Sequence, residues 1–429
     1  MHRAPVEMLP LEMLSEIFCH CLDHSETYMS PHRNRAPLLL TRVCRSWRRC
    51  AITTPALWTS LRLYSPFTEH QYRSLVSLAD LWLQRSGARP LSLSLTIPDP
   101  HSLPASLLSH LPRCTRLHLA APDPFSAALR DNMPLLESLS LTSPKDHAFY
   151  PKEPTFPLDI SAPRLRALAL DGFPHRLVLP WAQLTHLRVA NWEPTKPWLS
   201  LLRECSALTS CSLSPAGEIL LVGGAPTPIV FPALESLRVH PTRVLGFVRV
   251  LEHFAAPNLK HLDVAVPGNI VPLCREVAPL LARSQCQLQS LALAGLRLDA
   301  FEDFRALCAL VPNLTRLSIA GIGRMSFPSR MFFDEMTRKE GRGCLLPQLE
   351  ALEMRLSVGK TDFPDDAIEE MLRSRIAGQH SGCSRMRSAD VYVHRRIHDW
   401  IASLVDQGTH WYISEQGEVV QQRLEAGER

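Results

Sequence analysis

Two hydrophobic rhythms divide the chain. As far as Arg89 the apolar residues recur at helical spacing, and from Leu91 onward they alternate as strand residues do. In LPLEMLSEIFCHCL (Leu9–Leu22), Leu11, Leu14, Ile17, Phe18 and Cys21 fall on one helical face. Pro10 suits a first helical position, and Glu12 sits near the positive end of the dipole. After a polar insert from Asp23 to Arg35 the pattern resumes in APLLLTRVCRSWRRCAITTPALW (Ala36–Trp58). Leu40, Val43, Cys44 and Trp47 stand at i, i+3, i+4 and i+7, which predicts a helix over Leu38–Arg49 with Arg42, Arg45, Arg48 and Arg49 on its other sides. Thr54-Pro55 reads as an N-cap and first-turn proline of a short helix carrying Trp58. A further helix is predicted over His70–Ser86, with Tyr72, Leu75, Val76, Ala79, Trp82 and Leu83 on one face and Gly87 at its left-handed C-terminus.

From Leu91 one phrase, L-x-x-L-x-L, keeps returning: at Cys114, Leu136, Leu165, Leu184, Leu208, Leu234, Leu259, Leu288, Leu314 and Leu349, at intervals of about 19 to 35 residues. Proline leads into most copies, as at Pro134, Pro163, Pro232, Pro257, Pro312 and Pro347. The fourth and sixth residues alternate as in a strand, so they face a core while the third and fifth face the opposite way. One unit cannot bury its leucines alone, whereas stacked units build a continuous parallel sheet. Uneven connections, among them the long basic segment Ile322–Leu346, predict an irregular array with helices and loops behind the sheet. After it, Ile368, Met371 and Leu372 mark a helix, Val391–Val393 a last strand, and Ile397, Ile401 and Leu404 a final helix ending at Gly408.

The fifty residues Leu9–Trp58 resemble the F-box: a leucine-proline start, the EMLSEIF helix, then VCRSWRRCA and TPALW in the same order and register. The insert 23–35 is longer than the tight turn of the shortest members. The phrases resemble the leucine-rich repeats that often follow an F-box, although the asparagine or cysteine usual three residues after the final leucine is missing. The expected fold class is α/β, a three-helix F-box followed by an irregular leucine-rich-repeat solenoid with its sheet on the concave side. The expected division is a tail at 1–8, an F-box at 9–63, a linker helix at 64–90, repeats at 91–361, a cap at 362–413 and a polar tail at 414–429.

The resemblance implies a substrate-recognition subunit of a Skp–cullin–F-box ubiquitin ligase, serving ubiquitin-dependent protein degradation. The adaptor-binding residues would be Leu9, Pro10, Leu14, Ile17, Phe18, Leu40, Val43, Cys44 and Trp47, and the repeats would hold the target. The outward phrase positions are small residues interspersed with Arg116, His118, His186, Arg188, Arg238, His261 and Arg316, against Asp263 and Glu353. That mildly basic face suits an acidic or phosphorylated protein segment. Two alternatives stand beside this reading: a repeat scaffold whose first helices only cap the array, and nucleic-acid binding through the arginines between Arg33 and Arg62.

Composition sharpens the picture in three ways. The 429 residues are 45% hydrophobic with a net charge of +4, so no global field selects nucleic acid or a membrane. Locally, Thr27–Thr68 contains seven arginines and no acid, which suits an acidic partner such as a Skp adaptor. Twelve cysteines without a signal-like leader fit a reducing compartment, cytosol or nucleus; Cys44, Cys114, Cys211 and Cys308 sit on apolar faces as small hydrophobes. Gly359-Lys360-Thr361 lacks the leading glycine of a phosphate loop, and His394 and His398 lack a third metal ligand. No catalytic constellation, cofactor or metal is expected.

Overall fold

In a computed structural model, residues 9–23, 25–64, 69–96, 105–120, 132–142, 158–171, 177–192, 196–215, 228–241, 251–267, 273–295, 301–322, 330–339, 343–357, 365–376, 384–391 and 410–412 are described. The chain forms two compact units, Met1–Arg188 and Val189–Arg429. The class is α/β, built on a large parallel sheet with one strand per repeat phrase.

The first unit opens with helix α1 (Leu11–His20), a 3-10 turn at Leu40–Arg42, helix α2 (Arg45–Thr53) and a second 3-10 turn at Pro55–Trp58. Strand β1 (Ser60–Tyr64), helix α3 (Glu69–Arg85) and strands β2 (Leu91–Thr96), β3 (Cys114–Ala120) and β4 (Ser138–Thr142) follow, with the short helix α4 (Ala105–Leu108) between β2 and β3. β6 (Ala167–Asp171) and β8 (His186–Trp192) continue the sheet, while the two-residue strands β5 (Leu158–Asp159) and β7 (Leu177–Val178) pair with each other. The unit boundary falls inside β8.

In the second unit the main strands are β9 (Ser210–Pro215), β11 (Ser236–Val239), β13 (His261–Ala265), β14 (Ser290–Ala294), β15 (Arg316–Ile322), β16 (Ala351–Ser357), β17 (Ser388–Val391) and β18 (His410–Tyr412). They lie side by side in chain order, and β10 (Ile229–Val230) pairs with β12 (Phe254–Ala255). Helices α5 (Lys196–Glu204), α6 (Leu273–Ser284), α7 (Phe301–Ala309), α8 (Arg330–Met336) and α9 (Asp365–Ile376) connect them. No helix among the described residues is long and apolar enough to cross a membrane.

The phrase builds each repeat by the same few bonds. The lead-in proline takes the second position of a turn closed by Leu136 N–H to Met133 O at 3.2 Å, and again by Leu165 to Ala162 at 3.1 Å and Leu314 to Val311 at 3.1 Å. Proline's fixed φ presets that position, and its missing N–H costs nothing there. Register then aligns equivalent phrase positions, as in Leu291↔Leu317↔Leu352 and Leu117↔Leu139↔Leu168. Those inward leucines are buried, as are the first leucines of the phrases. Each such side chain contributes roughly 1.5–3 kcal/mol, so the stacked ladder carries the core.

Several expectations need correcting. The helix expected over Leu38–Arg49 is broken: Thr41 N–H and Oγ1 both bond back to Leu38 O, and Cys44 is extended (φ −153°, ψ 173°). Cys44 Sγ accepts the Trp47 N–H at 3.4 Å, so this cysteine caps α2 and is exposed rather than filling an apolar face. Thr54 does not cap with its side chain; its hydroxyl donates back to Cys50 O at 2.8 Å. The segment Ile322–Leu346, expected to be part of an irregular connection of helix and loop, does contain helix α8, whose Phe332, Phe333 and Met336 are buried. Gly359–Thr361, His394, His398 and the expected helix through Ile401 lie outside the described residues, as do residues 1–8 and 413–429.

Helix α3 follows the sequence reading to within a residue, with Gly87 at φ +58° behind it. Its Trp82 meets Trp58 edge-on at 4.8 Å and donates Nε1–H to Ser60 O at 3.1 Å. Arg113 closes the helix end, donating to Leu83 O at 3.2 Å, to Ser86 Oγ at 2.8 Å and to Gly87 O. The segment expected as a linker is thus packed on β1 within the first unit.

Candidate protein-binding surfaces

Helix α1 carries two apolar stripes about 100° apart. One, Leu14 and Phe18, is buried, and Phe18 meets the half-buried Trp47 at 5.0 Å. The other, Met13 and Ile17 four residues apart, faces solvent, 56% and 44% exposed, and Leu9 lies exposed ahead of the helix, before the extended Pro10. The chain has more apolar helix surface here than its own core uses, as a domain this small leads one to expect. Leu11, Leu39 and Val43 are exposed as well. Single exposed apolar residues are ordinary; several together on one helix and on the turn at residues 39–43 are not.

The nine adaptor-binding candidates therefore separate. Leu9, Pro10, Ile17, Val43 and Cys44 are exposed, and Trp47 is half-buried. Leu14, Phe18 and Leu40 are sealed inside the first unit and cannot touch a partner, because helix α2 and the turns around it cover them. Met13 and Leu39 went unrecognised in sequence, and Leu11, read as part of the apolar helical face, is exposed too; the signal for Met13 was its i, i+4 spacing from Ile17. Arg42, Arg45, Arg48 and Arg49 are exposed on and beside α2.

Each unit also presents an outward strand face. The seven target-binding candidates lie on these faces: Arg116, His186 and Arg188 are exposed and His118 half-buried in the first unit, and Arg238, His261 and Arg316 are exposed in the second. Arg116 and His118 share β3, whereas His186 and Arg188 lie on β8, with β4 and β6 between. In the second unit Arg238 and His261 stand on neighbouring strands, and β14 separates them from Arg316.

Register decides the charge of each part. Arg238 faces Asp263 across the β11–β13 pair and bonds Oδ2 at 2.7 Å, while His240 Nε2 meets Oδ1 at 2.8 Å. Burial pushes the Asp263 carboxyl up, but the hydrogen bonds from His240 and Arg238 outweigh it, and its pKa lies below the ordinary value. Arg116 instead donates Nε–H to the Ser92 hydroxyl at 3.1 Å, and His118 Nδ1 meets Ser140 Oγ at 2.9 Å.

The polar insert contributes a residue that sequence reasoning missed. Ser60 Oγ donates to Thr27 O at 3.3 Å and accepts Met29 N–H at 3.1 Å, and Arg62 N–H donates to Met29 O at 2.6 Å. These bonds seat Thr27–Met29 along β1, with Met29 buried. Tyr28 then stands against the outward face, 6.4 Å from the His118 ring centroid, and the Arg62 guanidinium carbon lies 6.0 Å from its own centroid. Contacts spanning about thirty residues leave no local trace in sequence.

The cysteines add no chemistry to these surfaces. Burial pushes the Cys114, Cys205 and Cys274 thiols up to about 12, which leaves them protonated and unreactive. Among the described residues no group of three or more His, Cys, Asp or Glu could hold a metal ion. No protein-family model matches the chain, and no curated protein matches it in sequence.

Proposed function

We propose that the protein is the substrate-recognition subunit of a Skp–cullin–F-box ubiquitin ligase, with α1 and its neighbouring turns docking on a Skp-type adaptor. The observation that carries this reading is the exposed helical pair Met13 and Ile17, accompanied by the exposed Leu9, Leu39 and Val43, in a segment rich in arginine. A partner that is apolar at its centre and acidic at its rim would cover both. The outward strand face would hold the target protein, and the chain's contribution would be positioning: it raises the effective concentration of target near the ligase's transferring subunit.

Co-purification with a recombinant Skp adaptor and the cullin tests the reading. Ile17→Asp and Met13→Asp are the informative variants, since both side chains are exposed and an aspartate there leaves the fold intact. Loss of adaptor with unchanged thermal unfolding supports docking; retention of adaptor by the double variant rejects it. A second reading, a repeat scaffold capped by its first helices, is favoured by one observation: Trp58, Trp82 and Leu57 tie those helices into the end of the sheet. It expects no adaptor in the wild-type purification.

A further inference from the structure

We propose that the outward face of β1–β3 is a site for an extended segment bearing a tyrosine, and that the chain's own insert fills it, with Tyr28 as a releasable latch. While the insert is seated, this end of the face is closed to other segments. The inference does not depend on adaptor docking.

The covering shows in the burial of two serines. Outward serines on other strands, such as Ser138, Ser140, Ser212, Ser290 and Ser318, are half-buried, as side chains on an open sheet face should be. Ser92 and Ser94 on β2 point the same way, alternating with the inward Leu91, Leu93 and Leu95, yet they are 7% and 5% exposed. Register identifies what lies over them. Ser94 pairs with Arg62 on one side and His118 on the other. The Tyr28 ring is close to both of those neighbours, 6.0 Å from the Arg62 guanidinium carbon and 6.4 Å from the His118 centroid, so it lies across β2. In the next row Arg116 covers Ser92, donating Nε–H to its hydroxyl at 3.1 Å.

The insert reaches this place along the free edge of the sheet. β1 is the first strand, and an edge strand offers its backbone groups to a passing segment. Met29 O accepts the Arg62 N–H at 2.6 Å, and Ser60 Oγ bridges Thr27 O and Met29 N–H. An added peptide engages a sheet in this way: main-chain bonds hold it, and side chains that alternate in direction select it. Here Met29 is buried and Tyr28 takes the outward face.

The contact is separable from the core. Beneath the ring lie hydroxyls and an imidazole, which water can solvate once the ring leaves, whereas the leucines of β2 face the other way. Burial pushes the Tyr28 phenol up and the His118 imidazole down, so two neutral rings meet and no ion pair fixes them. Tyr28 is itself only half-buried, and the ion pair of the insert, Arg35 to Glu26 at 3.0 Å, ties it to itself.

The test combines hydrogen exchange of the full chain with anisotropy of a labelled peptide spanning Ser25–Ser30. Tyr28→Ala should speed exchange over residues 25–30 and 60–64 about tenfold or more, with β3, β4 and thermal unfolding unchanged. Tyr28→Phe keeps the ring and should match the wild type. The Tyr28→Ala chain should bind the peptide saturably and the wild type about tenfold more weakly or less, because its own insert competes. A peptide with alanine in place of its tyrosine should bind neither. Exchange unaltered by Tyr28→Ala overturns the proposal, as does absence of peptide binding up to millimolar concentration or equal binding to both chains. A lowered unfolding temperature for Tyr28→Ala would make the ring part of the core and overturns it too. Met13 and Ile17 are untouched in every variant, so adaptor capture succeeds or fails separately.

Discussion

The outward faces of the two units use an arginine on a repeat strand to different ends. Arg116 stands on β3 at the third phrase position and Arg238 on β11 at the fifth, and each emerges beside a buried leucine, Leu117 or Leu237. Arg238 is neutralised by Asp263 on the next strand, at 2.7 Å, whereas Arg116 has only a serine hydroxyl. The second unit spends other cations in the same way: Lys260 on Glu235 and Arg275 on Asp303, both at 2.7 Å, and the buried Arg375 on three backbone carbonyls. A strand position therefore says which way a cation points, and the neighbouring strand says whether its charge remains available to a partner. Helix α1 repeats the lesson in apolar form, with Leu14 and Phe18 used by the core and Met13 and Ile17 left over.

The largest effects should come from residues already spent on the fold. Phe18→Ala is expected to lower the stability of the first unit by about 3–5 kcal/mol, read from its denaturant midpoint. For the same reason an aspartate at Leu14 reports on folding and not on docking. Ile17→Asp, one position from Phe18, should shift that midpoint by less than about 0.5 kcal/mol. Comparable costs for the two would erase the distinction between the stripes.

Arg375→Met is next. Its guanidinium donates to Met336 O at 2.9 Å, Leu346 O at 3.1 Å and Leu345 O at 2.6 Å, tying the end of α8 and the segment before β16 to α9. Orphaning those carbonyls should cost about 3 kcal/mol and speed hydrogen exchange at residues 336–346 first. Arg116→Met should change stability by no more than about 0.5 kcal/mol, because its guanidinium is exposed.

Asp263 should matter less than Phe18 or Arg375. Its folded-state pKa is depressed, so the pair contributes fully above the ordinary carboxylate value and is lost as pH falls through the depressed one. Asp263→Asn should cost about 0.5–1 kcal/mol at neutral pH and flatten that part of the acid unfolding profile. An unchanged acid limb would show that the pair is electrostatically idle. A double-mutant cycle with Arg238→Gln sharpens the comparison, since the coupling should vanish once Asp263 is removed.

Much of this arrangement was legible in sequence because the repeat phrase is a local signal. Strands fall where L-x-x-L-x-L recurs, the lead-in prolines open turns, and helix α3 ends at Gly87. The break before Cys44 was hidden because Thr41 and Cys44 choose local hydrogen bonds over a helical pattern that the apolar spacing alone would allow. The docking of Tyr28 and Met29 on β1 depends on partners some thirty residues away, which no periodicity encodes. The Arg238–Asp263 pair was within reach: both occupy the fifth position of successive phrases, and only the register of parallel neighbours was needed to join them.

Hydrogen–deuterium exchange of the full chain, with and without a Skp adaptor bound to the cullin amino-terminal domain, tests the central claim most directly. The account expects adaptor-dependent protection over residues 9–20 and 39–49, with the strands β2–β4 unchanged. Unaltered exchange in α1 at saturating adaptor, or protection confined to the outward strand face, would contradict it.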